Sequence, residues 1–281
     1  MAAIALAFAA MGATAMAAPT VVFQADFEAS TAESVAPGGT TLANLNLGTA
    51  IGTWSGWNET RPISAVPTSG IHLDSLGANK IMCSDRDQAD IGFDISANLT
   101  QPVVLADGGT VTFKFVPRRT GGLTAGVYKH AYIMGKDASG AISFYLRVYI
   151  GAGTLQYFQY STTADAPAFA SAAEDTHFLP TGTSQAETAN NFTSAANIIS
   201  ANMETLTLSL SAAGYTFNYV PGADQAGLGE VAYTSAVLPY AGTATQLTRI
   251  NFVGSDECGM YIDDFIVTAL GGASVGDWDK M

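Results

Sequence analysis

Aromatic and cationic side chains alternate with apolar ones in one strand-like segment, and these residue types could do chemistry. Residues 142–150 read Ile-Ser-Phe-Tyr-Leu-Arg-Val-Tyr-Ile. Successive side chains of a β-strand point to opposite faces of the sheet, so the apolar positions are predicted to face a core. Tyr145, Arg147 and Tyr149 are then predicted to face away from it. Tyrosine rings offer flat apolar surfaces for stacking, and a guanidinium donates charge-assisted hydrogen bonds to hydroxyls or carboxylates.

Both flanking segments carry side chains of the same kinds. The strand predicted before residues 142–150 places tyrosine and histidine at alternate positions, and the strand predicted after it does so with glutamine, phenylalanine and tyrosine. Side chains on neighbouring antiparallel strands lie close enough to touch, so we predict one patch, the aromatic–basic face. The alternative is that residues 162–202 fold over this face and make its tyrosines packing residues. Its predicted members are Tyr128, His130, Tyr132, Tyr145, Arg147, Tyr149, Gln156, Phe158 and Tyr160.

Short strand-like segments separated by glycine-rich turns must position these side chains. Residues 110–116 alternate apolar and polar types, and residues 137–140, Asp-Ala-Ser-Gly, read as a turn. The chain has 29 glycines and 48% hydrophobic residues, so it can build a large core. The pattern predicts an all-β protein, a two-sheet antiparallel β-sandwich of the jelly-roll type.

The charge balance excludes some classes of partner. Among 281 residues there are 24 Asp and Glu against 11 Lys and Arg, which gives a net charge of −13. A nucleic-acid binder that neutralises phosphates needs a basic surface, so we expect no nucleic-acid partner. The same balance argues against docking on an anionic membrane surface.

The two ends of the chain differ from the middle. Residues 1–18 are apolar, carry no charged side chain and include Ala-Met-Ala at 15–17, which is typical of a signal peptide. We expect cleavage after Ala17 or Ala18, secretion to the extracellular space or cell surface, and no membrane attachment of the mature chain. Residues 19–270 are predicted to form one domain with irregular excursions near 30–70 and 162–202, followed by a loose tail, 271–281.

The chain has two cysteines, Cys83 and Cys258. In an oxidising compartment an even number of cysteines predicts a disulfide, here between early and late parts of the chain. The alternative is a pair of buried free thiols.

Four short motifs occur in a familiar order: Asp-Phe-Glu at 26–28, Gly-Thr-Val-Thr-Phe-Lys-Phe-Val-Pro at 109–117, Ser-Phe-Tyr-Leu-Arg-Val at 143–148 and Met-Tyr-Ile-Asp-Asp-Phe-Ile-Val-Thr at 260–268. This order resembles the concanavalin A-like lectin/glucanase superfamily in its laminin-G-like form. The first and last motifs are also similar to jelly-roll carbohydrate-binding modules. The resemblance implies a concanavalin A-like sandwich whose concave sheet carries a saccharide cleft, here the aromatic–basic face.

The resemblance also implies that the first and last strands are neighbours. Carboxylates from both strands would then come together, and Ca²⁺ is a hard cation that takes oxygen ligands. Similar modules hold a structural calcium ion, so calcium is a candidate cofactor. The alternative is that the carboxylates are simply solvated. The candidate ligands are Asp26, Glu28, Asp263 and Asp264.

The residue types on the predicted face bear on catalysis. A retaining glycosidase needs two carboxylates about 5 Å apart, and the strands assigned to this face contain none. This favours a non-catalytic secreted protein that binds glycans or other surface polymers. One alternative is a polysaccharide lyase, with Tyr145, His130 and Arg147 filling the roles of base, acid and uronate-neutralising group. Another is a structural cell-surface or matrix protein.

Overall fold

The computed structural model describes residues 18–26, 57–61, 70–73, 79–84, 94–119, 129–150, 156–161, 203–223, 231–255 and 258–271. These residues form fourteen β-strands. The strands are β1 (Thr20–Ala25), β2 (Trp57–Arg61), β3 (Gly70–Leu73), β4 (Lys80–Ser84), β5 (Asp94–Val104), β6 (Gly109–Arg119), β7 (Lys129–Lys136), β8 (Ile142–Ile150), β9 (Gln156–Tyr160), β10 (Glu204–Ser211), β11 (Gly214–Val220), β12 (Tyr233–Thr234), β13 (Gln246–Ser255) and β14 (Cys258–Ala269).

The strands form two antiparallel sheets that are continuous at one hairpin. In the first sheet the order is β12-β11-β10-β6-β14, and β1 and β4 both pair with the other edge of β14, with β3 beyond β4. In the second sheet the order is β2-β5-β13-β7-β8-β9. The sheets join at the β13–β14 hairpin, where Ser255 pairs with Cys258. The predicted all-β, two-sheet antiparallel sandwich is confirmed.

Aromatic rings from both sheets meet in the core between them. Phe113 and Phe265 belong to the first sheet, and Phe252 of the second sheet lies 5.6 Å and 5.3 Å from them, ring centroid to centroid. All three rings are fully buried and meet edge to face, a favoured arrangement of aromatic pairs. Phe144 of β8 likewise contacts Tyr215 of β11, at 5.7 Å. These contacts define the inner face of the second sheet and therefore its outer face, which is where the candidate site lies.

A hydrogen bond also ties the two sheets together near β1. The hydroxyl of Thr100 on β5 donates to the carbonyl of Val22 on β1, at 2.9 Å. Strand β1 pairs with β14, with Thr20 opposite Ala269 and Ala25 opposite Phe265. The bond from Thr100 therefore joins the second sheet to the edge of the first. The expectation that the first and last strands are neighbours is met.

The β7–β8 turn fixes the register of the two central strands of the site. Asp137 Oδ1 accepts hydrogen bonds from the backbone N–H groups of Ser139, at 2.8 Å, and Ala141, at 2.9 Å. Gly140 has φ of 91°, in the left-handed region where a side chain is strained. The turn predicted at residues 137–140 is therefore present. Its hydrogen bonds explain Asp137, and its backbone conformation explains Gly140.

The pairing of β4 with β14 separates the two cysteines. Cys83 lies opposite Tyr261, three residues along β14 from Cys258. At about 3.3 Å per residue this is an offset of about 10 Å, whereas bridged Cα atoms lie about 4.4–6.8 Å apart. No disulfide is found between the two cysteines, and the strand register explains why the expected bridge does not form.

Several predicted segments fall outside the described residues. These are residues 1–17 of the signal segment, most of 30–70, all of 162–202, and 272–281 of the tail. In the described part of the chain, no helix has the length and apolarity needed to cross a membrane.

Candidate functional site

The outer face of the second sheet brings Tyr132 and Tyr145 together. Tyr132 pairs with Arg147 across β7 and β8, and Met134 pairs with Tyr145, so all four share one face. The Tyr132 and Tyr145 rings have centroids 5.5 Å apart and planes inclined at 56°. The inner-facing neighbours Phe144 and Leu146 are fully buried in the main core. Alternation along β8 therefore places Tyr145 and Arg147 on the face away from that core.

This face is covered where the sequence analysis expected it to be open. Tyr145 is only 8% exposed and Arg147 only 1%, while Tyr132 is half-buried. Tyr145 forms a second apolar cluster with Met134 and Ala241. The N–H of Ala241 donates to the carbonyl of Ser143 at 2.6 Å, which brings the 231–245 segment onto the end of β8. Tyr145 is therefore a packing residue as well as a member of the face.

Burial also sets the protonation of Tyr145. Loss of solvent raises the pKa of its hydroxyl above the ordinary value, nearby Tyr132 raises it further, and Arg147 partly opposes the rise. The hydroxyl is therefore even harder to deprotonate at physiological pH than an ordinary tyrosine hydroxyl. A neutral phenol can donate a hydrogen bond but cannot act as a base.

A bulge at the start of β8 places Ile142 on the outer face of the sheet instead of in the main core. Gly135 pairs with Phe144 but Lys136 pairs with Ile142, so one extra residue, Ser143, is inserted on β8. The Ser143 hydroxyl donates to the Gly135 carbonyl at 3.1 Å. Ile142, predicted to face the main core, instead packs against the cluster of Met134 and Tyr145 on the outer face.

The register of β9 corrects three predicted members of the face. Gln156, Phe158 and Tyr160 lie opposite Ile150, Val148 and Leu146, which are the inner positions of β8. Tyr160 packs against the main core. The outer positions of β9 are Tyr157 and Gln159, opposite Tyr149 and Arg147. The sequence analysis missed these two residues because the register of β9 with β8 decides which of its faces points outward, and composition does not show that register.

Three other predicted members are placed only in part. His130 and Tyr149 are direct register partners, at outer-face positions next to Tyr132 and Arg147. Tyr128 lies outside the described residues.

A row of polar residues continues the face toward β5, and the sequence analysis did not find it. Asn251 of β13 pairs with Ser96 of β5 on one side and with Met134 of β7 on the other. Asn251 and Ser96 are only 3% and 2% exposed. In the sequence, polar Asn251 lies between Ile250 and Phe252, which are buried in the structure. This alternation is the pattern that could have revealed the polar row. The outer face is thus polar as well as aromatic across β5, β13, β7 and β8.

The predicted acidic cluster at the strand termini is only partly assembled. A bulge in β14 places Asp263 and Asp264 in succession between the buried Ile262 and Phe265, and Asp264 has φ of 46°. Asp263 is 1% exposed. Its Oδ2 accepts from the Asn79 amide at 2.6 Å and its Oδ1 from the Asp264 N–H at 2.8 Å. Burial raises the pKa of the Asp263 carboxyl to about 6, and the adjacent Asp264 adds to the rise.

The hydrogen-bond and ion-pair partners of Asp263 and Asp264 do not fit a calcium site. Lys114 Nζ lies 2.6 Å from Asp264 Oδ2, so an ammonium group already occupies the position of a cation there. Asp26 follows Ala25, which pairs with Phe265, but its side chain is exposed. Among the described residues no three His, Cys, Asp or Glu side chains could together hold a metal ion. The remaining candidate, Glu28, lies outside the described residues.

Comparison with known proteins gives similarity of fold. No protein-family model matches the chain, and no curated protein matches it. The CBM2 module of an evolved Dit protein from Lactobacillus casei phage J-1 has a TM-score of 0.48 and 14% identity, covering 92% of this chain and 98% of that chain. The basic winged bean lectin with Tn-antigen has a TM-score of 0.43 and 8% identity, covering 77% of this chain and 94% of the lectin.

A carbohydrate esterase from Shiga toxin-encoding bacteriophage phi24B is matched with a TM-score of 0.42 and 12% identity, covering 83% of this chain and 97% of the esterase. At these identities the likeness concerns the fold alone, which the strand pairing establishes independently.

Proposed function

We propose that the chain is a secreted, non-catalytic β-sandwich protein that binds glycans or similar extracellular polymers. The observation that carries the proposal is the ring pair of Tyr132 and Tyr145 on the outer face of the second sheet. Tyr145 is fixed by packing against Met134 and Ala241, and its ring in turn supports the half-buried ring of Tyr132. A rigid aromatic side chain provides contact area at a low cost in conformational entropy.

The residue types around this pair favour binding over hydrolysis. None of β7, β8, β9 and β13 contains an aspartate or a glutamate. Glycoside hydrolysis ordinarily uses a pair of carboxyl groups that flank the scissile bond. A lyase would need an exposed group to neutralise a uronate, and Arg147 is only 1% exposed. We therefore assign no catalytic role to His130, Tyr145 or Arg147.

Secretion rests on the apolar segment at residues 1–18 and its Ala-Met-Ala ending. If it is correct, the protein recovered from the culture medium begins at residue 18 or 19. The proposal includes no calcium ion, because Asp264 is paired with Lys114 and Asp263 with Asn79.

A glycan array combined with a turnover assay tests the proposal. We expect the purified mature protein to retain at least one class of polysaccharide and to release no reducing ends and no unsaturated uronate from it. Product formation from any retained polymer would contradict the non-catalytic assignment. Failure to retain any polymer would contradict glycan binding itself.

A further inference from the structure

The outer face of the first sheet carries two rows of mostly polar side chains that cross its strands. In the long row each residue is the register partner of the next, from β12 through β11, β10, β6 and β14 to β1. Its members are Thr234, Asn218, Thr207, Thr112, Ile266 and Gln24. Beside it runs a short row of Thr216, Ser209, Thr110, Thr268 and Val21. At the usual strand spacing of about 4.8 Å, the long row extends for about 24 Å.

The side chains of both rows are wholly or partly exposed and carry no charge. None of them is buried, whereas residues that alternate with them, such as Val111, Phe113 and Leu208, are fully buried in the core. Neither row contains an aromatic ring, an acid or a basic residue. At the next outer positions of β6 and β14, Lys114 Nζ lies 2.6 Å from Asp264 Oδ2, so these two charges compensate each other. The rows therefore form an uncharged polar surface.

Hydrogen bonds between neighbouring strands hold the threonine hydroxyls in place. Thr112 Oγ1 donates to Thr207 Oγ1 at 3.2 Å in the long row, and the hydroxyl oxygens of Thr110 and Thr268 lie 2.8 Å apart in the short row. Threonine is branched at Cβ and has few rotamers. A ligand on this surface therefore meets groups that are already ordered, and little conformational entropy is lost on binding.

The bonded groups of the long row still offer both donors and acceptors. Thr112 uses its only proton in the bond to Thr207, but Thr207 keeps its own proton and both oxygens keep lone pairs. The Asn218 amide donates to Thr234 Oγ1 at 2.7 Å, which leaves the Thr234 proton for another acceptor. A carboxylate or sulfate only accepts and an ammonium group only donates, whereas a sugar hydroxyl does both. The row therefore matches a hydroxylated partner.

We propose that the long row binds an extended, neutral polysaccharide chain that lies across the strands. This surface is separate from the proposed site at Tyr132, which is on the other sheet. The centre of a protein–protein interface is apolar and rich in aromatic residues, and the two rows offer only Ile266 and Val21 as apolar contacts. Without a basic residue in either row, an acidic polymer gains no ion pair there. A short glycan covers only part of the row, so affinity should rise with chain length.

Affinity electrophoresis in gels that contain soluble polysaccharides tests the proposal. The neutral probes are hydroxyethylcellulose, galactomannan and mixed-linkage β-glucan, and carboxymethylcellulose is the acidic counterpart of the first. We expect at least one neutral polymer to retard the protein, and fragments of that polymer to compete better as they lengthen. The double variant Thr112→Ala/Thr207→Ala should bind it at least about fivefold more weakly, because two hydroxyls are lost from the middle of the row. Tyr132→Ala should retain most of the affinity.

Thr248→Ala is the matched control, because Thr248 is a half-buried threonine on β13 of the second sheet. It should be retarded like the wild type, and circular dichroism should show that all variants are folded. Undiminished binding by the double variant, with binding lost in Tyr132→Ala, would overturn the proposal and leave the glycan site at Tyr132 in place. Retardation by none of the neutral polymers, or stronger retardation by carboxymethylcellulose than by hydroxyethylcellulose, would also overturn it.

Discussion

Tyr132 of β7 and Tyr145 of β8 lie side by side on the outer face of the second sheet, with ring centroids 5.5 Å apart, yet they differ in exposure. Tyr145 is buried beneath Ala241 and beside Met134, whereas Tyr132 is half-buried. In the proposed glycan site, Tyr145 supports the face and Tyr132 is the ring that contacts the ligand.

Tyr145→Ala should destabilise the fold, contrary to what an open face would imply. Removing the ring leaves a cavity against Met134 and Ala241, and we expect a loss of about 2–4 kcal/mol in the free energy of unfolding. Tyr145→Phe keeps the ring and should cost less than about 1 kcal/mol. Chemical denaturation of the three proteins measures both effects. A Tyr145→Ala protein as stable as the wild type would show that the ring is not packed.

Asp263 should make stability depend on pH. Its pKa is raised from 3.8 to about 6 in the folded protein, so the folded state binds the proton more tightly than the unfolded state. The associated stability is fully present below about pH 4 and is lost as pH rises through 6. Asp263→Asn should therefore gain about 1–2 kcal/mol relative to wild type between pH 4 and pH 7. Denaturant titrations at both pH values measure this. If the difference in free energy of unfolding between wild type and Asp263→Asn does not change with pH, the raised pKa of Asp263 is wrong.

Two buried tyrosines of β11 should respond differently to loss of their hydroxyls. The Tyr215 hydroxyl is buried and has no hydrogen-bond partner in the described structure, so Tyr215→Phe should be neutral or slightly stabilising. The Tyr219 hydroxyl donates to Glu204 Oε1 at 3.1 Å, and Tyr219→Phe should cost about 1–3 kcal/mol. Thermal unfolding compares them. The reverse order would mean that the Tyr215 hydroxyl has a partner.

Calcium should not stabilise the region around Asp263 and Asp264. Asp264 is held by Lys114 and Asp263 by Asn79, so we expect the melting temperature to be the same in excess calcium and in EGTA. A ligand that binds the native state alone raises the melting temperature as its concentration increases. Such a rise, abolished by Asp26→Asn, would restore the calcium site that the sequence resemblance implied.

The sequence predicted where the strands lie better than it predicted which face of a sheet each side chain occupies. Clean alternation located most of β6 and β8, because one side of each strand packs into the core. Strand β5 gives no clear periodic signal, since Pro102 and the polar residues before it interrupt its apolar pattern. The strands β2, β3 and β12 are too short and too polar to give a periodic signal.

The sequence predicted which face of β8 some side chains occupy, but not what packs against that face. Alternation placed Tyr145 and Arg147 on the outer face, but nothing in a single strand shows what packs on that face, so their burial could not be foreseen. The bulge at Ser143 and the register of β9 depend on pairing between strands. Each shifts a side chain to the other face by one residue, which is how Ile142 and Tyr160 were misassigned.

The affinity of a Tyr132→Ala variant for the best glycan found on the array tests the central claim most directly. Tyr233→Ala is the matched control, because Tyr233 is another partly buried tyrosine, on β12 of the other sheet. We predict that Tyr132→Ala weakens binding by about 1–3 kcal/mol, the range for a lost aromatic or polar contact, and that both variants remain folded. Full affinity in Tyr132→Ala, or an equal loss in Tyr233→Ala, would contradict a glycan site at the Tyr132–Tyr145 pair.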